Sequence, residues 1–227
     1  MSFRVKIISP LHASESDLAR RQRRYQEVAG GDTVVTVVNL AGGPVALNSS
    51  GDILSSAAAI YRQGKETSTD DFDAILIDCV FDPAVAELRE ATGLPVFGPT
   101  RTTLPLISLV AEEFSIIARS PRQCELLAEL VAREGFGGQL RSVRALDISY
   151  EEAKQEAIFR QVMLERLGTA VNEDNAQAIM FGSTTMALTD EMRAVAQGIP
   201  LFMPGMVALR LMAQLYQDGL WSGRVKS

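Results

Sequence analysis

Eight short runs of apolar, largely β-branched residues recur along the chain, separated by longer stretches with helical periodicity. This alternation marks parallel strands joined by crossover helices, because a parallel neighbour is reached only through a connection long enough to hold a helix. The predicted strands are Val5 to Ser9, Thr33 to Asn39, Ala74 to Asp78, Pro95 to Phe97, Phe114 to Ala118, Ser142 to Leu146, Ala178 to Phe181 and Pro200 to Phe202. They divide evenly around Gly98, and no low-complexity linker separates the halves. The expected architecture is α/β with two closely packed, pseudo-symmetric lobes, each a four-stranded parallel sheet flanked by helices.

The halves also repeat in sequence. Asp73-Ala74-Ile75-Leu76-Ile77-Asp78-Cys79-Val80 lines up without gaps on Gln177-Ala178-Ile179-Met180-Phe181-Gly182-Ser183-Thr184, a shift of 104 positions. Leu88-Arg89 falls on Met192-Arg193, and after one inserted residue Gly93-Leu94-Pro95-Val96-Phe97 matches Gly198-Ile199-Pro200-Leu201-Phe202. A duplicated lobe explains this match. The first lobe is expected over 1–98 with 205–227, where Met206 to Asp218 forms a helix that returns to it, and the second over 99–204. Cys79 and Ser183 then follow equivalent buried strands. Ligands of parallel sheets bind outside the carboxyl ends of the strands, so these two side chains are expected to face one cleft between the lobes.

Composition narrows the partners. With 47% hydrophobic and 22% charged residues in 227, the chain is a folded protein with a substantial core. Its net charge of −6 argues against a surface that neutralises nucleic-acid phosphates. The only basic cluster, Arg20, Arg21, Arg23 and Arg24, reads as the solvated face of one helix. The N-terminus shows no basic region followed by an apolar core and a cleavage site, and the apolar stretch near Phe202 is interrupted by Pro204, Gly205 and Arg210. A cytoplasmic protein without membrane or nucleic-acid partners is expected. Two cysteines and one histidine cannot build a cysteine-rich zinc site or a disulfide framework, which leaves the thiols free.

The residues at the strand ends are the candidates for chemistry. Cys79, placed between a strand and a helix N-terminus, would have its pKa lowered by the helix end and raised by Asp78 and Asp82; as a residue type it is equally a small buried hydrophobe. Cys124 recurs with Leu127 and Val131 at core spacing. Gly182-Ser183-Thr184-Thr185-Met186 supplies hydroxyls that can hold a carboxylate or a developing enolate, or cap the following helix. Ser183 is too weak an acid to serve as an unassisted base, so hydrogen-bond donation suits it better. Ser9-Pro10-Leu11-His12 closes the first strand, with Ser14 and Asp17 resembling a capping box; His12 is either a solvated loop residue or a contributor to the site. Arg101, after the fourth strand, could clamp a carboxylate or lie on the surface. No Walker loop, dinucleotide glycine fingerprint, zinc-protease motif or nucleophile elbow is present in the sequence.

Taken together, Asp78-Cys79-Val80-Phe81-Asp82-Pro83, Gly93-Leu94-Pro95-Val96-Phe97-Gly98, Ser120-Pro121-Arg122, Ser142-Val143-Arg144-Ala145 and Phe181-Gly182-Ser183-Thr184-Thr185-Met186-Ala187 resemble the aspartate/glutamate/hydantoin racemase superfamily, especially its hydantoin and allantoin racemase branch. The resemblance implies flavodoxin-like lobes, no cofactor or metal, a homo-oligomer and a small-molecule substrate. It also implies a pair of cysteines, one removing a proton next to a carbonyl and one returning it on the opposite face. Cys79 matches the first and Ser183 stands at the second. The substrate pocket implied on this chain comprises Ser9, Leu11, His12, Val80, Phe81, Arg101, Thr184 and Thr185. The Asn-Pro-Asn-Thr usual after the first strand of hydantoin racemases is Ser9-Pro10-Leu11-His12 here, and an acidic residue usual after the fourth strand is Arg101. An anionic substrate and single-thiol chemistry are therefore expected. Racemisation, decarboxylation, maleate-type cis–trans isomerisation and ligand binding without catalysis all remain open at this level.

Overall fold

The computed structural model describes residues 2–44, 46–149, 152 and 155–220. Its eight strands are β1 (Phe3–Ile8), β2 (Thr33–Val38), β3 (Ala74–Ile77), β4 (Val96–Phe97), β5 (Phe114–Ala118), β6 (Leu140–Ala145), β7 (Ile179–Phe181) and β8 (Leu201–Phe202). Each lies within two residues of its predicted bounds. The helices between and after them are α1 (Glu15–Ala29), α2 (Ser50–Gly64), α3 (Val85–Thr92), α4 (Pro99–Ser108), α5 (Pro121–Arg133), α6 (Glu156–Asn172), α7 (Asp190–Ala196) and α8 (Pro204–Gln217), with a short 3₁₀ turn at Gly137–Gln139.

The chain divides into two compact units, one formed by the described residues of Met1–Thr102 and Gly205–Ser227 and the other by Thr103–Pro204. The first division falls inside α4. In the first unit the strand order is β2-β1-β3-β4, and in the second it is β6-β5-β7-β8, with every pairing parallel. Both are doubly wound sheets whose order reverses between the first and third strands of the unit. The same main-chain bonds recur in both. Asp78 N–H donates to Ile8 C=O at 2.9 Å, as Gly182 does to Ile117 at 2.8 Å. Ile75 donates to Pro95 at 2.9 Å, as Ile179 does to Pro200 at 2.9 Å. The sequence repeat is thus a repeat of register.

In the first unit, one face of the sheet presents Val5, Ile7, Val35, Val37 and Leu76 to Tyr25 of α1 and to Ala208, Leu209 and Met212 of α8. On the other face Gly64 of α2 packs so closely on Ile8 and on Leu88 of α3 that a Cβ there would meet Leu88 at 2.7 Å. Fully burying an aliphatic side chain of this kind contributes about 1.5–3 kcal/mol. Helices start where the sequence offers caps: Ser14, Ser49, Ser120 and Thr189 each accept a backbone N–H of the first turn. Among the described residues, no helix is long and apolar enough to cross a membrane.

The basic cluster on α1 is not uniformly solvated. Arg21 is buried, 7% exposed, and pairs with Asp17 one turn back and with Asp78 at the end of β3. The helix turns this arginine toward the sheet because a buried carboxylate waits there, and a charge taken out of water is tolerated only when paired.

Candidate active site

Where strand order reverses, the connections leave the sheet in opposite directions and open a crevice at the carboxyl ends. In the first unit that switch point lies between β1 and β3, so the segments beginning at Ser9 and Asp78 border it. Ser9 is fully buried; its hydroxyl donates to Leu11 C=O at 3.0 Å and accepts the Leu11 N–H at 3.4 Å. His12 is exposed, with Nδ1–H donating to Leu40 C=O at 2.8 Å.

Cys79 is 3% exposed, and Val80, Phe81 and Asp82 are buried with it. The loop is held on all sides. Cys79 N–H donates to Ile77 C=O at 2.8 Å and Asp82 N–H to Cys79 C=O at 3.1 Å, which folds the chain back on itself. Thr100 Oγ1 donates to Val80 C=O at 2.6 Å, and the Asp82 carboxylate accepts the N–H groups of Thr100 at 3.1 Å and Arg101 at 2.7 Å. Asp82 therefore caps α4, directly over Gly98, where a Cβ would lie 2.4 Å from its Cγ. Asp82 and Ala84 both take left-handed backbone angles, φ 50° and 59°, a conformation that costs non-glycine residues about 1–2 kcal/mol and persists where surrounding bonds enforce it. Arg101 enters this site through its backbone; its side chain is exposed.

Beneath the loop, Asp78 is 1% exposed and accepts from the Arg21 guanidinium and the Tyr25 hydroxyl. Tyr25 is fully buried, and its phenol is pushed well above the ordinary range by burial and by the Asp78 charge. The second unit solves the same position differently. Seven and eleven places after the equivalent cap Ser120 stand Leu127 and Val131, where Arg21 and Tyr25 follow Ser14, and Asp78 is matched by Gly182. A Cβ at Gly182 would meet Leu127 at 2.7 Å and the Ala118 Cα at 3.2 Å. One unit fills the site with an ion pair and a phenol, the other with aliphatic carbon.

Two expectations about the cysteines change. α3 begins only at Val85, six residues past Cys79, and its cap position Ala84 is left-handed with no side-chain cap, so Cys79 does not sit at the N-terminus of that helix. Instead burial pushes the Cys79 thiol well above its ordinary range, and Asp82 and Asp78 add to this, while the Phe81 N–H and the Arg21 charge pull the other way. Cys124 is only half-buried, although Leu127 and Val131 on the same helix are core residues.

In the second unit the switch point lies between β5 and β7. Ser183 and Thr184 are buried there, and Ser183 Oγ lies 3.0 Å from Thr185 Oγ1 and accepts the Thr185 N–H at 3.3 Å. α7 starts at Asp190 under its own cap, Thr189, so these hydroxyls do not cap a helix. They meet a residue the sequence reading missed. Arg119, the first residue past β5, donates from Nε to Ser183 Oγ at 3.3 Å and from Nη2 to Thr185 Oγ1 at 2.7 Å. Its signal was positional: an arginine at the carboxyl end of a central strand. Among the described residues, no group of three or more His, Cys, Asp and Glu side chains could hold a metal ion.

The family model described as Asp/Glu/Hydantoin racemase matches residues 5–212. The chain is 27% identical over 207 residues to a hydantoin racemase of Pseudomonas sp. (strain NS671), covering 91% of this chain and 82% of the relative. It is also 27% identical over 234 residues to the hydantoin racemase of Paenarthrobacter aurescens, covering 99% and 96%. In fold it is similar to the allantoin racemase from Klebsiella pneumoniae, with a TM-score of 0.82 and 22% identity over 96% of this chain and 89% of that one. A match over that length, on doubly wound units with a buried cysteine at one switch point, establishes that the chain belongs to the Asp/Glu/hydantoin racemase family of isomerase-type enzymes.

Proposed function

We propose that the chain is a cofactor-independent enzyme that moves a proton at a carbon next to a carbonyl, in a small carboxylate or a cyclic amide, with Cys79 as its one acid–base thiol. The observation that carries this reading is the Cys79 thiol itself, buried at the β3 switch point in a loop fixed by bonds to Thr100 and Arg101. In the exchange reaction the C–H electron pair moves into the carbonyl to form an enolate, the thiolate takes the proton, and the reverse step returns it. Ser183 orients and does not abstract, since it accepts from Arg119 and a neighbouring cation further weakens a hydroxyl as a base.

A second reading rests on the direction of the Cys79 shift. A thiol that burial keeps protonated is ready to donate, which suits protonation of the enediolate left when carbon dioxide departs from a malonate-type substrate. Following α-proton loss in D₂O by NMR, and carbon dioxide release from substituted malonates, separates the two across a panel of 5-substituted hydantoins and small α-substituted carboxylates. Turnover of any of these that disappears in Cys79→Ala supports the thiol; turnover that survives the substitution, or none in the wild type, rejects it.

A further inference from the structure

We infer that Arg21 and Tyr25 of α1 are positioning residues for Cys79: they hold the Asp78 carboxylate one peptide away and so set the charge the thiol meets when it gives up its proton. This inference rests on the function proposed above and names what controls its thiol.

The two donors reach different oxygens of Asp78, the Arg21 guanidinium one and the Tyr25 hydroxyl the other. They stand four residues apart on α1, on one face of the helix, and Arg21 Nε is itself held by the Asp17 carboxylate at 2.9 Å. A carboxylate gripped at both oxygens keeps one orientation, and the Asp78 N–H is tied to Ile8 C=O at 2.9 Å. The planar peptide from Asp78 to Cys79 therefore leaves the sheet in one direction, and the thiol starts from a fixed point.

Packing does not require this arrangement. The second unit fills the same place with Leu127, Val131 and Gly182, and exchanging a buried ion pair for apolar groups of similar volume is often neutral or stabilising. The charged version stands in the unit that carries the thiol, and the apolar version in the unit that carries Ser183. The difference between two otherwise repeated units points to the thiol.

The direction of the effect follows from the signs. Burial is the largest influence on Cys79 and opposes thiolate; the Phe81 N–H favours it, Asp82 of the same loop and Asp78 at the end of β3 oppose it, and Arg21 of α1 favours it. His12 after β1 and Arg101 on α4, the other titratable groups bordering this end of the sheet, are exposed. Burial works against the charge on Arg21, but Asp78 and Asp17 outweigh it and its pKa rises. Tyr25 is pushed well above its ordinary range, by burial first and then by Asp78. Both donors thus keep their protons through the range in which a thiol titrates, Arg21 offsetting the Asp78 charge and Tyr25 dispersing it.

Iodoacetamide labelling of the full-length protein without substrate, from neutral to mildly alkaline pH and read by peptide mass spectrometry, tests this with Cys124 as the internal reference. Relative to Cys124, Cys79 should react about tenfold more slowly in Arg21→Met, which removes the cation, and about tenfold faster in Asp78→Asn, which removes the anion. Arg21→Lys keeps the charge and should stay near the wild type, and Tyr25→Phe should be slower or unchanged. A purely structural role predicts the same sign throughout, because each replacement would loosen the loop and speed labelling. Unchanged or faster labelling in Arg21→Met overturns the inference, as does labelling in Asp78→Asn within twofold of the wild type. If Arg21→Met does not fold, faster labelling in Tyr25→Phe overturns it. Labelling needs no turnover, so failure of the proposed proton transfer leaves this pattern intact, whereas failure of the network abolishes the opposite signs while turnover still depends on Cys79.

Discussion

Cys79 and Ser183 stand at the same place in their respective units, each two residues past a central strand, β3 ending at Ile77 and β7 at Phe181, and at the second of them the Thr185 N–H donates to Ser183 Oγ at 3.3 Å. Ser9 repeats it with the Leu11 N–H at 3.4 Å. A serine hydroxyl one or two residues past a central strand is thus held by an amide two positions on.

The backbone at 183 is accordingly ready for a thiol. Ser183→Cys should place a second acid–base group beside Arg119, whose charge favours thiolate, and should raise racemisation by about 10²–10⁴-fold, the usual range for such a group. Polarimetry on each enantiomer of an exchangeable substrate checks this. A folded Ser183→Cys protein that racemises no faster than the wild type would show that the two positions are not equivalent.

Asp78, Arg21 and Tyr25 form a network in which each member's burial depends on the others. Asp78→Ala leaves the Arg21 charge buried without that partner and should lower stability by about 3–5 kcal/mol, whereas Tyr25→Phe removes one hydrogen bond to a charge and should lower it by about 1.5–3 kcal/mol. The triple replacement Asp78→Gly, Arg21→Leu, Tyr25→Val copies the second unit and should be more stable than Asp78→Ala alone. Urea denaturation midpoints decide; an Asp78→Ala protein as stable as the wild type contradicts the account.

The Cys79 thiol fixes a pH dependence. Its pKa is raised on folding, so the folded chain holds a proton that the unfolded chain releases; this contribution is present below the ordinary thiol pKa of about 8.5 and is lost as pH rises above it. Iodoacetamide should label Cys79 slowly at neutral pH and progressively faster on the alkaline side, followed by peptide mass spectrometry. Rapid labelling at pH 7 in the ligand-free protein would mean that the thiolate is already formed there.

Gly98 has no room for a methyl group. Gly98→Ala puts a carbon against the Asp82 carboxylate and should displace it from the Thr100 and Arg101 amides, at about 1–3 kcal/mol for overpacking, with a loss of turnover because the Cys79 loop hangs on those bonds. Unchanged stability and turnover would show that the cap does not position the loop.

The fold was legible because its signals are local. Apolar runs such as Ala74-Ile75-Leu76-Ile77 are bounded by polar residues, and the gapless match to Ala178-Ile179-Met180-Phe181 carries the register with it. Cys79 and Ser183 were legible as strand-end residues for the same reason. What was not legible depends on contacts distant in sequence. Nothing near Arg21 marks Asp78 as its partner 57 positions on, so the arginine read as solvated. Arg119 meets Ser183 across 64 positions. The helix expected next to Cys79 starts late because Asp82 and Ala84 take left-handed angles on either side of Pro83, a choice set by the Asp82 bonds to α4.

The single-thiol account is tested most directly by incubating each enantiomer of an exchangeable substrate with the wild-type protein in D₂O while deuterium uptake and optical rotation are followed together. With Cys79 as the only acid–base group, the proton leaves and deuterium returns on one face of the planar intermediate. Exchange should then run ahead of any change in rotation, and both should vanish in Cys79→Ala. Racemisation as fast as exchange would contradict the account and require a second base on the opposite face.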